Sequence, residues 1–234
     1  GAIYANTAPV TVSGTAEVRT NTAQTGGVVY AVSGAVTVAG GSVENNTAST
    51  SGGAVYAGSG AVTVSSGSVS DNIATEGDGG GVYADRGNVT VSGGSMSGNT
   101  ANDNGGAIHA VSGTVTVSDG SLTGNTAANG NGGAICANTG AVSITGITLA
   151  TNSAGQNGGA VYAGSGAVSI TDTTFGGTDS GNTAGTDGGA IYAGSGNVTV
   201  SGGSMSENKA TTGDGGAVYV GSGALTVTGS ASMI

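Results

Sequence analysis

Hydrophobic positions in this chain alternate with polar ones over very short runs, and the runs recur with a period of about 26 residues. One column of the repeat is always Ile or Val: Ile3, Val29, Val55, Val82, Ile108, Ile135, Val161, Ile191 and Val218. Two residues on stands Ala5, Ala31, Ala57, Ala84, Ala110, Ala137, Ala163, Ala193 and then Val220. Alternate residues of a strand share a face, so both columns point inward together. A second segment has Val-Thr-Val spacing, as in Val62 with Val64 or Ile144 in a Val position, and is another period-two strand. A third carries an apolar residue with Asn three places on, as in Val43 and Asn46 or Leu122 and Asn125, and Ala follows each Asn by two.

Runs this short cannot bury an apolar face alone. Stacked copies, pairing strand on strand in parallel, enclose a continuous interior. The pattern therefore predicts an all-β fold, a right-handed parallel β-helix (solenoid) of about nine coils, each of about 26 residues with three short strands and three corners. At the strand spacing the rod is on the order of 40 Å long. A Gly recurs between the first two strands (Gly34, Gly60, Gly87, Gly113, Gly140, Gly166, Gly196, Gly223), where a positive φ is expected. Asp172 to Ala184 holds about four extra residues, read as a loop bulging from one corner.

Fifty-one Gly, one Pro, one Phe and no Trp describe a narrow Val, Ile and Ala core. The unbroken repeat indicates a single domain over residues 1–234, and the lack of an amphipathic cap at either end suggests a piece of a longer protein. Thirteen acids against three bases give a formal charge of -10, which repels a phosphate backbone and argues against nucleic acid as partner. No apolar run is long enough to insert in a membrane as a helix.

Between the Ile/Val and Ala columns runs a slot filled by Tyr4, Tyr30, Tyr56, Tyr83, His109, Cys136, Tyr162, Tyr192 and Tyr219. Alternation turns it outward, as an aromatic ladder that either protects the sheet or serves as a lateral binding stripe for sugars or a neighbouring rod. His109 and Cys136, the chain's only His and Cys, occupy this slot on successive coils; spacing supplies no third partner for catalysis or a metal, and they read as drift within the ladder. Asn21, Asn46, Asn72, Asn99, Asn125, Asn152, Asn182 and Asn208 read as a structural ladder of stacked amides at a corner.

Asp78, Asn104, Asn131, Asn157, Asp187 and Asp214 precede a Gly pair, which is turn chemistry with a weaker Ca²⁺ reading. Thr63, Thr90 and Thr116 with Ser65, Ser92 and Ser118 begin two hydroxyl ranks, the basis of an alternative ice-binding reading. A second alternative, a polysaccharide-degrading enzyme, finds Asp85 beside Arg86 as its nearest candidate, although a solvated pair accounts for both. No catalytic residue, cofactor or metal is assigned.

The pairing of GGA[IV], at Gly52 to Val55, Gly105 to Ile108, Gly132 to Ile135, Gly158 to Val161, Gly188 to Ile191 and Gly215 to Val218, with apolar-x-x-Asn resembles the GGAI and FxxN repeats of chlamydial polymorphic outer-membrane proteins and related bacterial surface proteins. Val, Leu or Met stands where that family has Phe, and Phe175 lacks an Asn three residues later. The resemblance implies an extracellular, cell-surface adhesin of the autotransporter-passenger or wall-anchored kind. It would be non-catalytic, self-associating end to end or laterally, or binding a host-cell protein or glycan.

Overall fold

The computed structural model describes residues 1–234 and contains strands but no helix, so no helix is long and apolar enough to cross a membrane. Three parallel sheets run the length of the molecule. The first has nine strands of three residues, from Ile3–Ala5 to Val218–Val220, each beside the same segment of the next copy. Like residues therefore pair across coils: Ile3 with Val29, Tyr56 with Tyr83, His109 with Cys136. The chain is a parallel β-helix of about nine coils, as its periodicity predicts.

The strands divide among the faces differently from the expectation. The Val-Thr-Val and apolar-x-x-Asn segments belong to one 15-stranded sheet. In the first three coils they are continuous (Val10–Arg19, Val36–Glu44, Val62–Ser70), and later they part, as at Val115–Ser118 and Ser121–Thr123. The residues between them bend the backbone without turning a full corner: Asp119 and Gly120 take φ of 61° and 99°. The third face is the dipeptide after each Asn, giving eight strands from Thr22–Ala23 to Lys209–Ala210. The turn onto this face uses a left-handed residue just before the Asn (Thr20, Asn45, Asp71, Gly98, Gly124, Thr151 and Glu207), except at Asn182, which follows the inserted loop.

The recurring Gly between the first two strands needs correction. Of that column only Gly223 has a positive φ. The residue must be Gly because the coils lie backbone on backbone there: a Cβ on Gly113 would strike the carbonyl of Gly87. The bulge at Asp172 to Ala184 is a loop over 177–181, and it explains the missing Asn after Phe175. Phe175 is fully buried in the apolar column between Leu149 and Met205, and the loop delays the matching amide to Asn182. Inside, 45 buried apolar residues form one continuous cluster.

Candidate functional site

Two side-chain columns could carry function, and the coil stacking sets the geometry of both. The amide column lies at the corner between the second and third sheets. Asn125 shows its chemistry: its backbone N–H and Nδ2 donate to Oδ1 of Asn152 (both 3.0 Å), while Nδ2 also donates to the Met96 carbonyl (3.0 Å). Its own Oδ1 accepts from the N–H and Nδ2 of Asn99, both at 3.1 Å. Met96 is the apolar residue of the preceding coil's apolar-x-x-Asn unit, so one amide ties three coils together. Asn46, Asn72, Asn99, Asn152 and Asn182 repeat the pattern, each buried. Asn21 and Asn208, at the two ends of the column, are half-buried.

A second amide column runs along the turn before the Gly pairs, with the opposite sense. Asn104 donates back to Asp78 Oδ1 from its N–H and Nδ2 (both 2.9 Å), Asn131 to Asn104, and Asn157 to Asn131. The oxygens suggested as Ca²⁺ ligands thus serve the neighbouring coil. Nowhere do three His, Cys, Asp or Glu side chains gather as a metal site.

The tyrosine slot points away from the core, yet it is the floor of a trough rather than a free stripe. Only Tyr4 is well exposed, at 69%; Tyr30, Tyr56, Tyr83, Tyr162, Tyr192 and Tyr219 are half-buried. One wall is the loop before the Gly pair, with Gln24 and Thr25 beside Tyr4 and Tyr30. The other is the turn after the strand, where Val32, Ser33, Ser59, Asp85 and Arg86 enclose with Tyr30 and Tyr56 a hollow of about 310 Å³. Rings stack along the axis: Tyr56 on Tyr83 at 4.9 Å and 11°, Tyr162 on Tyr192 at 5.1 Å and 4°, Tyr192 on Tyr219 at 5.0 Å and 3°. Tyr30 is tilted to both neighbours, by 37° to Tyr4 and 40° to Tyr56; where the rings stack, their shared faces are occupied, leaving edges and hydroxyls for any partner.

His109 and Cys136 interrupt the ladder and correct the outward expectation for these two positions. They are only 3% and 1% exposed, because shorter side chains sink to the trough floor between Tyr83 and Tyr162. His109 stands edge-on to Tyr83, centroids 5.4 Å apart at 89°. Its Nδ1 lies 3.3 Å from Asp78 Oδ2, but the approach is not aligned as a hydrogen bond, and neither ring nitrogen has a bonded partner. Burial pushes the Asp78 carboxyl up, yet the nearby imidazole and the two Asn104 donors outweigh it and hold the group below its ordinary value. Burial, then the charge of Asp78, pushes the Cys136 thiol up, so it stays protonated at neutral pH.

Burial first, and then Tyr56, Asp85 and Asp78, push the Tyr83 phenol up to about 12. Burial likewise raises Tyr56, Tyr162 and Tyr192. A phenol raised above its unfolded value of about 10 contributes stability that is complete below that pH and lost as pH rises toward the folded value. The folded protein is therefore expected to resist tyrosinate formation above pH 10 and to unfold more readily as pH climbs toward 12. Ultraviolet tyrosinate absorbance followed together with far-ultraviolet circular dichroism tests this: ionisation of every Tyr at pH 10 in a fully folded chain contradicts it.

Asp85 and Arg86 meet at 3.5 Å with side chains 35% and 76% exposed. The first hydroxyl rank is in register through Thr63, Thr90, Thr116 and Ser143, whereas the second is broken by a register shift at Ala39, which pairs with Ser66.

Fold and columns together define a parallel β-helix repeat protein whose signature residues sit at coil-to-coil contacts. Residues 40–58, 93–111 and 180–194 match the model of the Chlamydia polymorphic membrane protein repeat. The chain is thus similar to that repeat in three of its coils, and the likeness visible in GGA[IV] and apolar-x-x-Asn is borne out. The matched stretches take in Asn46, Asn99 and Asn182, a Gly pair each, and then Tyr56, His109 and Tyr192. No curated protein and no solved structure matches the chain.

Proposed function

We propose that this chain is a structural and adhesive rod of a bacterial cell surface, working outside the cell and without catalysis. It binds a host-cell protein or glycan, or a neighbouring rod, along the tyrosine trough. The observation that supports this is the coupling of repeat and trough: each stretch that matches the membrane-protein repeat ends just beyond a residue of the tyrosine slot. The same unit that builds a coil thereby extends the lateral surface by one residue. Asp85 and Arg86 form a solvated ion pair, which gives polysaccharide cleavage no buried acid of the kind glycosidases use.

Where the rings stack, as at Tyr56 with Tyr83 and Tyr162 with Tyr192, recognition runs through ring edges and hydroxyls. Replacing Tyr56, Tyr83 and Tyr162 together by Ser is expected to weaken binding to host cells or arrayed glycans by about tenfold or more, with the β-sheet spectrum retained. The corresponding Phe replacements separate hydroxyl contacts from ring contacts. Unchanged binding by the folded Ser variant would remove the trough from the function.

A further inference from the structure

We propose that His109 Nε2 and Cys136 Sγ form a two-coordinate site for one soft monovalent cation, copper(I), with Asp78 positioning the imidazole. His109 and Cys136 are register partners on adjacent parallel strands, both buried on the trough floor. The imidazole is 3% exposed and both its nitrogens lack a hydrogen-bond partner. A buried polar group without a partner is costly and calls for an explanation. On one side the Asp78 carboxylate approaches Nδ1 to 3.3 Å, which favours the proton on Nδ1 and leaves Nε2 as a lone-pair donor. A carboxylate behind a metal-binding histidine is the usual way such a ligand is oriented.

The second donor is the only thiol in the chain, buried, in no disulfide, and with its S–H directed at Asn138 Oδ1 at 3.5 Å, a contact that metal binding would replace. Strands are about 4.8 Å apart. Metal–nitrogen and metal–sulfur bonds of roughly 2.0 and 2.3 Å, end to end, nearly fill that gap. Coordination number and ligand softness select the ion. Zn²⁺ requires four ligands, and no third His, Cys, Asp or Glu joins this pair. Thiolate softness favours copper(I) among the biological metals. On binding, the Cys136 S–H bond breaks, the S–Cu bond forms and the proton passes to solvent; no electron is transferred.

The test uses the whole chain titrated anaerobically with copper(I) held by a competing chelator, and separately with silver(I). One equivalent is expected, with thiolate-to-metal absorbance and a raised melting midpoint. His109→Tyr is expected to weaken binding at least tenfold, and the double variant His109→Tyr with Cys136→Tyr to abolish it. The double variant installs the residue that the other seven coils carry in this slot, so it should keep the fold. Asp78→Asn keeps an oxygen acceptor for Asn104 and is expected to weaken copper(I) binding about tenfold. The proposal is overturned if the native chain binds no copper(I), or if His109→Tyr binds it as tightly as the native chain, which would mark a thiol acting alone.

Discussion

Asn125→Ala is expected to lower stability by roughly 3–6 kcal/mol, far more than the loss of one surface amide. The change takes the side-chain partner from the Met96 carbonyl and from the Asn99 backbone N–H, and one of the two acceptors of Asn99 Nδ2, which keeps the Val69 carbonyl. Met96 and Asn99 have no exposed surface, and each orphan costs about 1–3 kcal/mol. A solenoid is stabilised by contacts between neighbouring coils, so damage in the middle coil should weaken the coupling between its two halves. Chemical denaturation should then show two transitions or one much broader than the parent's. Asn129→Ala, which removes an exposed amide bonded to Asn102, is the control and is expected to change stability by about 0.5 kcal/mol or less. If both variants melt together with the parent, the buried column is not what holds the coils in place.

The same column shows how far the sequence could be read. Periodic Asn after an apolar residue was enough to place a ladder, because a buried amide needs partners and only stacking provides them at every coil. Why the interval is three was hidden: it lets Nδ2 reach the apolar residue's carbonyl one coil back, a relation across about 29 residues that no local pattern displays. The left-handed corner before every Asn of the column except Asn182 is also hidden. Thr20, Asn45, Asp71, Thr151 and Glu207 share no chemistry, and for a β-branched Thr the conformation is unfavourable in isolation.

In the tyrosine slot, alternation gave the direction of the side chains but not their cover. The trough walls rise from turns flanking the strand, and their height depends on how those turns stack. His109 and Cys136, read as outward members of a ladder, are its most buried members because nothing in the period records side-chain length against wall height.

Gly133→Ala is expected to be nearly as damaging, costing about 3 kcal/mol or more, and the reason bears on what the repeat signature encodes. Gly133 is the second residue of a GGA[IV] unit. A Cβ there would enter the carbonyl of Gly159 and the backbone of Ser153, both in the following coil. Neither can retreat cheaply, since Gly133 and Ala134 donate to Gly158 and Ala160 at 3.2 and 3.0 Å and the strands beyond are locked to the core. Gly146 offers the contrast. Its φ is +67°, but a Cβ there meets nothing within 4 Å. Gly146→Ala bears only the left-handed penalty of roughly 1–2 kcal/mol, partly offset by the less flexible unfolded chain. Equilibrium unfolding of the two variants side by side decides between steric and conformational reasons for Gly: equal losses would mean that φ, not coil contact, governs both. The expected inequality would assign the GGA[IV] half of the motif to packing between coils. Recognition would then fall to the positions where the repeat tolerates variety, which on the trough floor means the slot held by Tyr, His or Cys.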